Sequence, residues 1–299
     1  MTRLSVLTSA VAMAGLLACG DDDESGTPPG GEPSAGEAQD IAVDLVFNAT
    51  VAGEAVACDT MYSELGDSGA SGMLADARFF VSVLEARNGD GEWVAIDLDQ
   101  DTVWQHENVA LIDFETGVGS CSATGTTETN DRVTGTLPSG EYSALRFQLG
   151  IPFELNHLDD ASAPAPLNSP GMFWYWQDGY KFVRIDWMPS EGQRWNVHLG
   201  SRMCENGTGL QTDAPSSCSR SNRATITLEN FDAATDAVDV DFAELVAGEE
   251  ITTNLPDSPP GCMSDPPETG DCDSVFSSLG LDFATGACTD GCDGQTVFR

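Results

Sequence analysis

Two of the chain's three histidines and four of its six tryptophans fall within one segment, residues 137–200. The histidines are His157 and His198, and the tryptophans are Trp174, Trp176, Trp187 and Trp195. Neutral imidazole is a common metal ligand. A chain that is poor in histidine and places two of them beside its tryptophans therefore favours a metal or redox site.

The aromatic residues of this segment also have a purely structural interpretation. Alternation along residues 172–182 places Phe173 and Tyr175 on one face of a strand, and Trp174 and Trp176 on the other. Buried aromatic rings dominate protein cores. Most of these rings are therefore expected to pack in a core or at its rim.

The three histidines have different sequence contexts. His157 lies in LNHLDD, where it could satisfy a loop carbonyl, and Asp159 and Asp160 could orient its ring. His198 lies in WNVHLGS and is expected on a strand face. His106, in WQHEN, precedes a strand and is expected to be exposed.

The N-terminal residues 1–19 predict export. Arg3 precedes a short apolar run, residues 4–18, which is too short to span a bilayer and is typical of a signal peptide. The sequence LLAC ends at Cys19 and has the form of a bacterial lipobox. It predicts acylation of Cys19 and a lipoprotein that only its N-terminal lipid anchors to a membrane, in the periplasm or on the outer surface. Ordinary signal-peptide cleavage near the same place is the alternative.

The acidic composition of the chain limits the classes of partner that it can bind. Residues 20–40 contain no aromatic residue and almost no aliphatic residue, which predicts a disordered acidic linker. Removing the signal peptide takes one of the 12 basic residues and none of the 49 acidic ones, so the mature charge is 11 − 49 = −38. Such a chain repels nucleic acid and anionic lipid headgroups, which excludes nucleic-acid binding, and it attracts cations or a basic partner.

Eight cysteines follow Cys19, and an even number in an exported chain indicates disulfides. They are Cys58, Cys121, Cys204, Cys218, Cys262, Cys272, Cys288 and Cys292. Eight cysteines allow on the order of 100 pairings, so spacing does not determine the connectivity. We favour Cys58–Cys121 and Cys204–Cys218 in the main domain, with the last four cysteines tying the C-terminal segment.

The pattern of short alternating segments predicts an all-β fold. Turn residues recur between the apolar runs of residues 41–250, and no segment keeps a helical period. These features favour one antiparallel β-sandwich domain, jelly-roll-like, or a barrel. Residues 251–299 are rich in Pro, Gly, Asp and Cys and predict a loop-rich, disulfide-tied appendage with one short helix near residues 274–279.

Motifs of common enzymes and of calcium loops are missing. The chain has no GxSxG, HExxH or GxxxxGK[ST] motif, so we do not expect an enzyme. Residues 97–101 open like a calcium loop, but Thr102 stands where glycine is needed and Asn108 where glutamate is needed.

Ordered sequence blocks carry a resemblance to a known family. They read DARFFVSVLEA, WQHENVALIDFETGVGSC, TNDRVTGTLPSGEYSALRFQLGIPFELNHLD, PLNSPGMFWYWQDGYKFVRIDW, VHLGSRMC and NRATITLENFD. The chain resembles the MbnP-like family, also called the metallo-mystery pair four-Cys motif proteins, over most of residues 41–250.

This resemblance implies an exported copper-binding protein with a MauG-like, di-haem cytochrome c peroxidase as partner. In that family a tryptophan is oxidised to kynurenine and joins histidine in a Cu(I) site. Carried onto this sequence, the resemblance implies that His157 and His198 are ligands and that Trp174 or Trp176 is the modified residue. Trp104 beside His106 is the second choice. The four-Cys motif corresponds to Cys58, Cys121, Cys204 and Cys218.

Two other classes of function remain open from the sequence. The first is a structural or adhesive β-sandwich lipoprotein, which separated histidines and fully buried tryptophans would favour. The second is a hydrolase acting on a carbohydrate or ester, which a deep cleft with paired carboxylates and exposed tryptophan would favour.

Overall fold

Strands supply most of the regular structure in the computed structural model of this chain. The structure describes residues 39–100, 103–123, 125–206, 214–265 and 272–299. The predicted signal peptide 1–19 with Cys19, residues 20–38 of the predicted linker, and Asp101 and Thr102 lie outside the described residues. Two short α-helices are described, α1 (Phe153–Asn156) and α2 (Asp273–Ser278).

The strands follow one another in the chain with mostly short connections. They are β1 (Ile41–Val51), β2 (Glu54–Ala55), β3 (Tyr62–Leu65), β4 (Ala70–Asn88), β5 (Trp93–Ala95), β6 (Asp97–Leu98), β7 (Gln105–His106), β8 (Val109–Asp113), β9 (Arg132–Leu137), β10 (Tyr142–Leu149), β11 (Phe173–Tyr175), β12 (Gly179–Tyr180), β13 (Val183–Pro189), β14 (Trp195–Leu199), β15 (Arg202–Glu205), β16 (Ser217–Arg220), β17 (Ala224–Glu229), β18 (Val238–Asp241) and β19 (Gly261–Cys262).

Two sheets form the body of the protein. The smaller has the order β18-β1-β9-β6, with β2 on β1, and the larger has the order β17-β10-β4-β13-β14-β19, with β3, β5 and β8 on β4 and β7 on β8. Two separate hairpins, β11–β12 and β15–β16, complete the strand pairs. Most pairs are antiparallel, and parallel pairs occur where β18 joins β1 and β19 joins β14 at the sheet edges. The predicted all-β fold is confirmed.

Apolar side chains from both sheets form one core. Along β1 every second residue from Val43 to Val51 is buried, as the alternating sequence predicts. Phe47 of the smaller sheet makes edge-to-face contacts with Phe79 and Phe147 of the larger sheet, at centroid distances of 5.7 and 5.9 Å. Such contacts between large buried rings stabilise the pairing of the two sheets.

The C-terminal segment packs into this same core. Phe298 contacts the rings of Phe79 and Phe147 at 5.8 and 5.5 Å, and it forms a β-bridge with Val240. Phe276 of α2, the helix predicted near residues 274–279, is fully buried. The segment that the sequence predicts as an appendage therefore contributes side chains to the sandwich, because its few apolar residues have no other core to join.

Four disulfides tie the chain, and the two predicted pairs are confirmed. They join Cys58–Cys121, Cys204–Cys218, Cys262–Cys272 and Cys288–Cys292. The first closes the longest loop, with a sequence separation of 63 residues. Closing a long loop removes the most conformational freedom from the unfolded chain in the entropic account of disulfide stability.

A second apolar cluster covers the outer face of the larger sheet. Strand β4 alternates, so that Phe79 faces the main core while Phe80 faces the opposite side. Residues of the 151–182 segment pack around Phe80, among them Met172 and Tyr180, which are fully buried. This segment, which we call the outer-face segment, carries His157 and the tryptophans Trp174 and Trp176.

Two further features bear on the predictions. The start of the calcium-loop-like sequence is strand rather than loop, since Asp97 and Leu98 form β6 and Leu98 is buried. Among the described residues, no helix combines the length and apolar character needed to cross a membrane.

Candidate metal centre

The outer-face segment brings His157, Trp174 and Trp176 to one cavity. The cavity measures about 680 Å³, and its walls also include Asp159, Asp160, Pro170, Phe173 and Tyr175. Both tryptophans are half-buried, so their rings are neither sealed in a core nor free on the surface. An imidazole, two indoles and two carboxylates thus share one solvent-connected site.

A short helix and a tight turn position His157. Helix α1 ends at Asn156, and His157 follows it directly. The buried Asn156 side chain accepts a hydrogen bond from the backbone N–H of Tyr180 at 3.0 Å, which ties α1 to the β11–β12 hairpin. Gly179 in that hairpin has φ +79°, and a Cβ there would lie 2.2 Å from the carbonyl oxygen of Asn156. Only glycine permits this close approach.

Hydrogen bonding fixes which ring nitrogen of His157 is available. Nδ1 lies 2.9 Å from the carbonyl oxygen of Trp176, so Nδ1–H donates to it and Nε2 keeps its lone pair. Burial lowers the pKa of His157, although the Trp176 carbonyl and the charge of Asp178 oppose this effect. The imidazole is therefore neutral near pH 7 and presents Nε2 as a donor atom, the state in which histidine binds metals.

The Cys204–Cys218 disulfide lies against His157. It joins directly opposed residues of the β15–β16 hairpin, and Sγ of Cys218 lies 3.5 Å from Nε2 of His157. Together the imidazole nitrogen and the two sulfurs lie within 4.8 Å of one another. Sequence reasoning did not place this disulfide beside His157, because the two belong to segments that are far apart in the chain.

The Trp174 ring contacts a guanidinium cation and the backbone at Gly200. The Arg202 guanidinium lies 5.5 Å from the Trp174 ring centroid and forms salt bridges with Asp178 and Asp265. A Cβ at Gly200 would lie 2.5 Å from the Trp174 ring, so the ring packs directly on the chain there. These contacts join the β11–β12 hairpin to β15 and keep Trp174 at the cavity wall.

His198 lies in a different environment, within a buried network of charges. It belongs to β14, and its Nε2 lies 2.6 Å from Oδ1 of Asp186 on β13. Arg184 donates to the other carboxylate oxygen of Asp186 at 2.9 Å and contacts Asp76 on β4 at 3.1 Å. The structure therefore gives His198 a carboxylate partner and does not place it on the wall of the His157 cavity.

The network holds Asp186 ionised. Burial by itself would raise the pKa of Asp186, but the hydrogen bond from His198 and the nearby charges of His198 and Arg184 outweigh it and lower the pKa to about 2. Arg184 and Lys181 also donate to the carbonyl oxygen of Gly171, at 2.8 and 2.9 Å. Arg184 on β13 thus anchors the outer-face segment, which carries the cavity, and Lys181 reinforces the same point from within the segment.

The two remaining tryptophans of the sequence cluster belong to the main core. Trp187 and Trp195 are directly opposed on β13 and β14 and are fully buried. Their indole nitrogens have no hydrogen-bond partner. The cluster that the sequence presents as one group is therefore divided between the two faces of the larger sheet.

Trp104 and His106, the second-choice pair, lie near a separate cavity. Trp104 lines a space of about 400 Å³ together with Arg78, Asp113 and Glu128. The His106 side chain is 29% exposed, and its Nε2 lies 3.6 Å from Oε1 of Glu107. The structure brings carboxylates rather than a second imidazole to Trp104.

Asp113 at this second cavity predicts a distinctive pH dependence of stability. Burial raises the pKa of Asp113 to about 7, against the opposing effects of Arg78 and of the Glu115 N–H, whereas its ordinary value is 3.8. Between these values the folded chain keeps a proton that the unfolded chain has lost, so the free energy of unfolding falls as pH rises, by at most ~1.4 kcal/mol per pH unit. Asp113→Asn removes this contribution, and the variant is expected to gain stability relative to the parent from pH 4.5 to pH 7 in urea unfolding. An offset that is the same at both pH values would contradict the prediction.

Fold and site define a class: an all-β sandwich with four disulfides and a histidine–tryptophan cavity on the outer face of its larger sheet. The family model for MbnP matches residues 40–264, and the chain belongs to the MbnP family. The resemblance drawn from the sequence blocks is thereby confirmed.

One solved structure supports the same relationship. MbnP from Methylosinus trichosporium is 29% identical in sequence, and the match has a TM-score of 0.74. It covers 87% of this chain and 98% of that structure, so the likeness extends over the whole sandwich. No curated protein matches this chain.

Proposed function

We propose that this protein binds copper in the cavity formed by His157, Trp174 and Trp176. The observation that carries the proposal is the neutral imidazole of His157 at a cavity with two carboxylates: Nδ1–H donates to the Trp176 carbonyl, and Nε2, which lies 3.3 Å from Nδ2 of Asn156, keeps the lone pair that a metal would take. Imidazole is a favourable donor for copper, and copper heads the order of affinity among divalent first-row metals. We propose binding without turnover of a substrate by this chain.

A modified tryptophan would complete the donor set. Indole offers no lone pair to a metal, whereas the aryl amine and ketone of kynurenine do. Two equivalents of peroxide would insert two oxygen atoms across the indole C2–C3 bond and leave as two waters; hydrolysis would then release the formyl group as formate. We propose a di-haem, peroxidase-like partner as the catalyst, with Trp174 or Trp176 as its target and Trp104 as the second choice.

The N-terminal sequence supports a proposal for where this chemistry takes place. The lipobox at Cys19 and the acidic residues after it motivate the proposal of an exported lipoprotein in the periplasm or on the outer surface. The net negative charge would raise the local concentration of cations and attract a basic face of the partner.

Metal analysis combined with peptide mass spectrometry tests the proposal. Protein purified from its native host, grown with copper and without chelators, is expected to contain near-stoichiometric copper. Peptides containing Trp174 and Trp176 are expected to show the mass of a tryptophan that has gained two oxygen atoms and lost its formyl carbon and oxygen. Calcium in place of copper, or no metal with unmodified tryptophans, would instead favour the structural β-sandwich module.

A further inference from the structure

We propose that reduction of the Cys204–Cys218 disulfide converts it, together with His157, into a Cys₂His site for a thiolate-preferring d¹⁰ cation such as Zn²⁺. The proposal goes beyond copper binding in the oxidised protein, because it requires the opposite redox state of the hairpin. It rests on the geometry of three side chains and not on the tryptophan modification.

The distance between the imidazole and the sulfur already suits a metal site. In tetrahedral zinc sites the Zn–N and Zn–S distances place nitrogen and sulfur about 3.6 Å apart. In this structure Nε2 of His157 and Sγ of Cys218 are 3.5 Å apart. Opening the disulfide has to separate the sulfurs to about 3.8 Å for the same geometry, which rotation of the two cysteine side chains can supply.

The hairpin keeps the two sulfurs on the same side after reduction. Cys204 and Cys218 are directly opposed, and the flanking pairs Arg202–Arg220 and Glu205–Ser217 hold the register without the disulfide. Arg202 is further fixed by its salt bridges to Asp178 and Asp265. Hydrogen bonding from Nδ1 to the Trp176 carbonyl sets the orientation of His157, as in many metal-bound histidines.

The accessibility of both cysteines permits reduction of this disulfide. Cys204 and Cys218 are both half-buried. Each of the other three disulfides has at least one fully buried cysteine, namely Cys121, Cys262 with Cys272, and Cys292. Thiol–disulfide exchange requires direct attack on a sulfur, and a dithiol reductant can attack the Cys204–Cys218 bond at either cysteine. Cys58 and Cys288 are half-buried, so the disulfides of these two cysteines are open to attack at one sulfur only.

The chemistry balances with a dithiol as reductant. The dithiol transfers two electrons and two protons, becomes a cyclic disulfide, and leaves two cysteine thiols on the hairpin. A divalent cation then displaces the two thiol protons and binds two thiolates and the neutral imidazole. Reoxidation of the thiols removes two of the three ligands, so the site exists only in the reduced hairpin.

Cadmium titration of partially reduced protein tests the site. The full chain is treated with limiting dithiol, and alkylation with mass spectrometry is expected to find Cys204 and Cys218 among the reduced cysteines and to identify any other reduced pair. Cd²⁺ alone is then added as the probe, and an ultraviolet thiolate-to-cadmium band is expected to saturate at one ion per chain. Bound Cd²⁺ is expected to protect both cysteines from alkylation.

Matched variants provide results that would refute the proposed site. His157→Ala is expected to weaken Cd²⁺ binding at least ~10-fold, whereas His106→Ala, at the other cavity, leaves it unchanged, and the double variant Cys204→Ser/Cys218→Ser abolishes the band. Unchanged affinity in His157→Ala, a band that survives the double variant, or loss of the native circular dichroism spectrum on limited reduction would each overturn the site. Copper content of the oxidised protein is measured on the same preparation, so its presence or absence is scored separately.

Discussion

Replacing Asp186 with alanine is expected to lower the free energy of unfolding by about 3–5 kcal/mol. Asp186 accepts hydrogen bonds from His198 and Arg184, and its side chain is 2% exposed. Removing the carboxylate leaves the buried His198 ring without its anionic partner and leaves the Arg184 cation with one carboxylate, that of Asp76, in place of two; desolvated groups that lose a partner are costly. Urea or guanidinium unfolding, followed by tryptophan fluorescence, measures the loss.

Asp44→Ala is the matched control for this variant. Asp44 also lies on a strand and pairs with an arginine, Arg132, at 3.0 Å, but its side chain is 59% exposed. Exposed pairs contribute about 0–1 kcal/mol, so the two substitutions differ chiefly in burial. Equal losses in Asp44→Ala and Asp186→Ala would show that the buried network does not stabilise the fold as described.

The pH dependence of the parent chain provides a second test of how much Asp186 contributes to the free energy of unfolding. Its pKa is lowered to about 2 from 3.8, so its contribution is fully present above about pH 4 and is lost as pH falls through 2. The stability difference between the parent and Asp186→Ala is therefore expected to shrink in strong acid.

His157→Ala is expected to reduce copper affinity by about 100-fold or more, the upper range found even for residues that only support a ligand. Nε2 is the ring nitrogen that keeps a lone pair, His157 lines the cavity, and alanine leaves no donor atom in its place. Competition with a coloured Cu(I) chelator measures the affinity in protein purified from the native host.

His106→Ala provides the control for copper binding, because His106 lies near the other cavity and contacts Glu107. Its affinity is expected to match that of the parent chain. His198 stays a predicted ligand, and the double variant His157→Ala/His198→Ala tests the histidine hypothesis as a whole. Parent-like copper affinity in that double variant would refute the role of both imidazoles.

Local sequence patterns predicted the elements whose two faces differ in polarity. Strand β1 and residues 82–87 of β4 alternate clearly, because one side of the strand faces the main core, whereas residues 74–82 of β4 are buried on both faces. The sequence VRIDW of β13 has charged residues at alternate positions, and this pattern by itself is typical of a solvent-exposed strand face. These charges are buried because they have partners such as His198 on the neighbouring strand. Sequence reasoning alone could not supply that partner.

The candidate site depended on contacts between distant segments. The sequence grouped His157 with four tryptophans, yet only Trp174 and Trp176 reach its cavity, while Trp187 and Trp195 turn to the opposite face of the sheet. Successive side chains of a strand point to opposite faces of the sheet, so residues that are close in the chain can lie on different sides of it. The C-terminal residues gave no periodic signal, because Val297 and Phe298 are a short apolar pair between polar residues.

The position of Phe298 has a consequence for biosynthesis. Its ring packs against Phe79 and Phe147, which precede it by about half the chain or more, and Val240 pairs with it across a bridge. Contacts over such long separations slow folding, because much of the chain must be ordered before they can form. The core is therefore complete only after residue 298 has left the ribosome. Until then the incomplete core exposes the apolar surface that holdase chaperones bind, and retention by such chaperones is expected to end with docking of this segment.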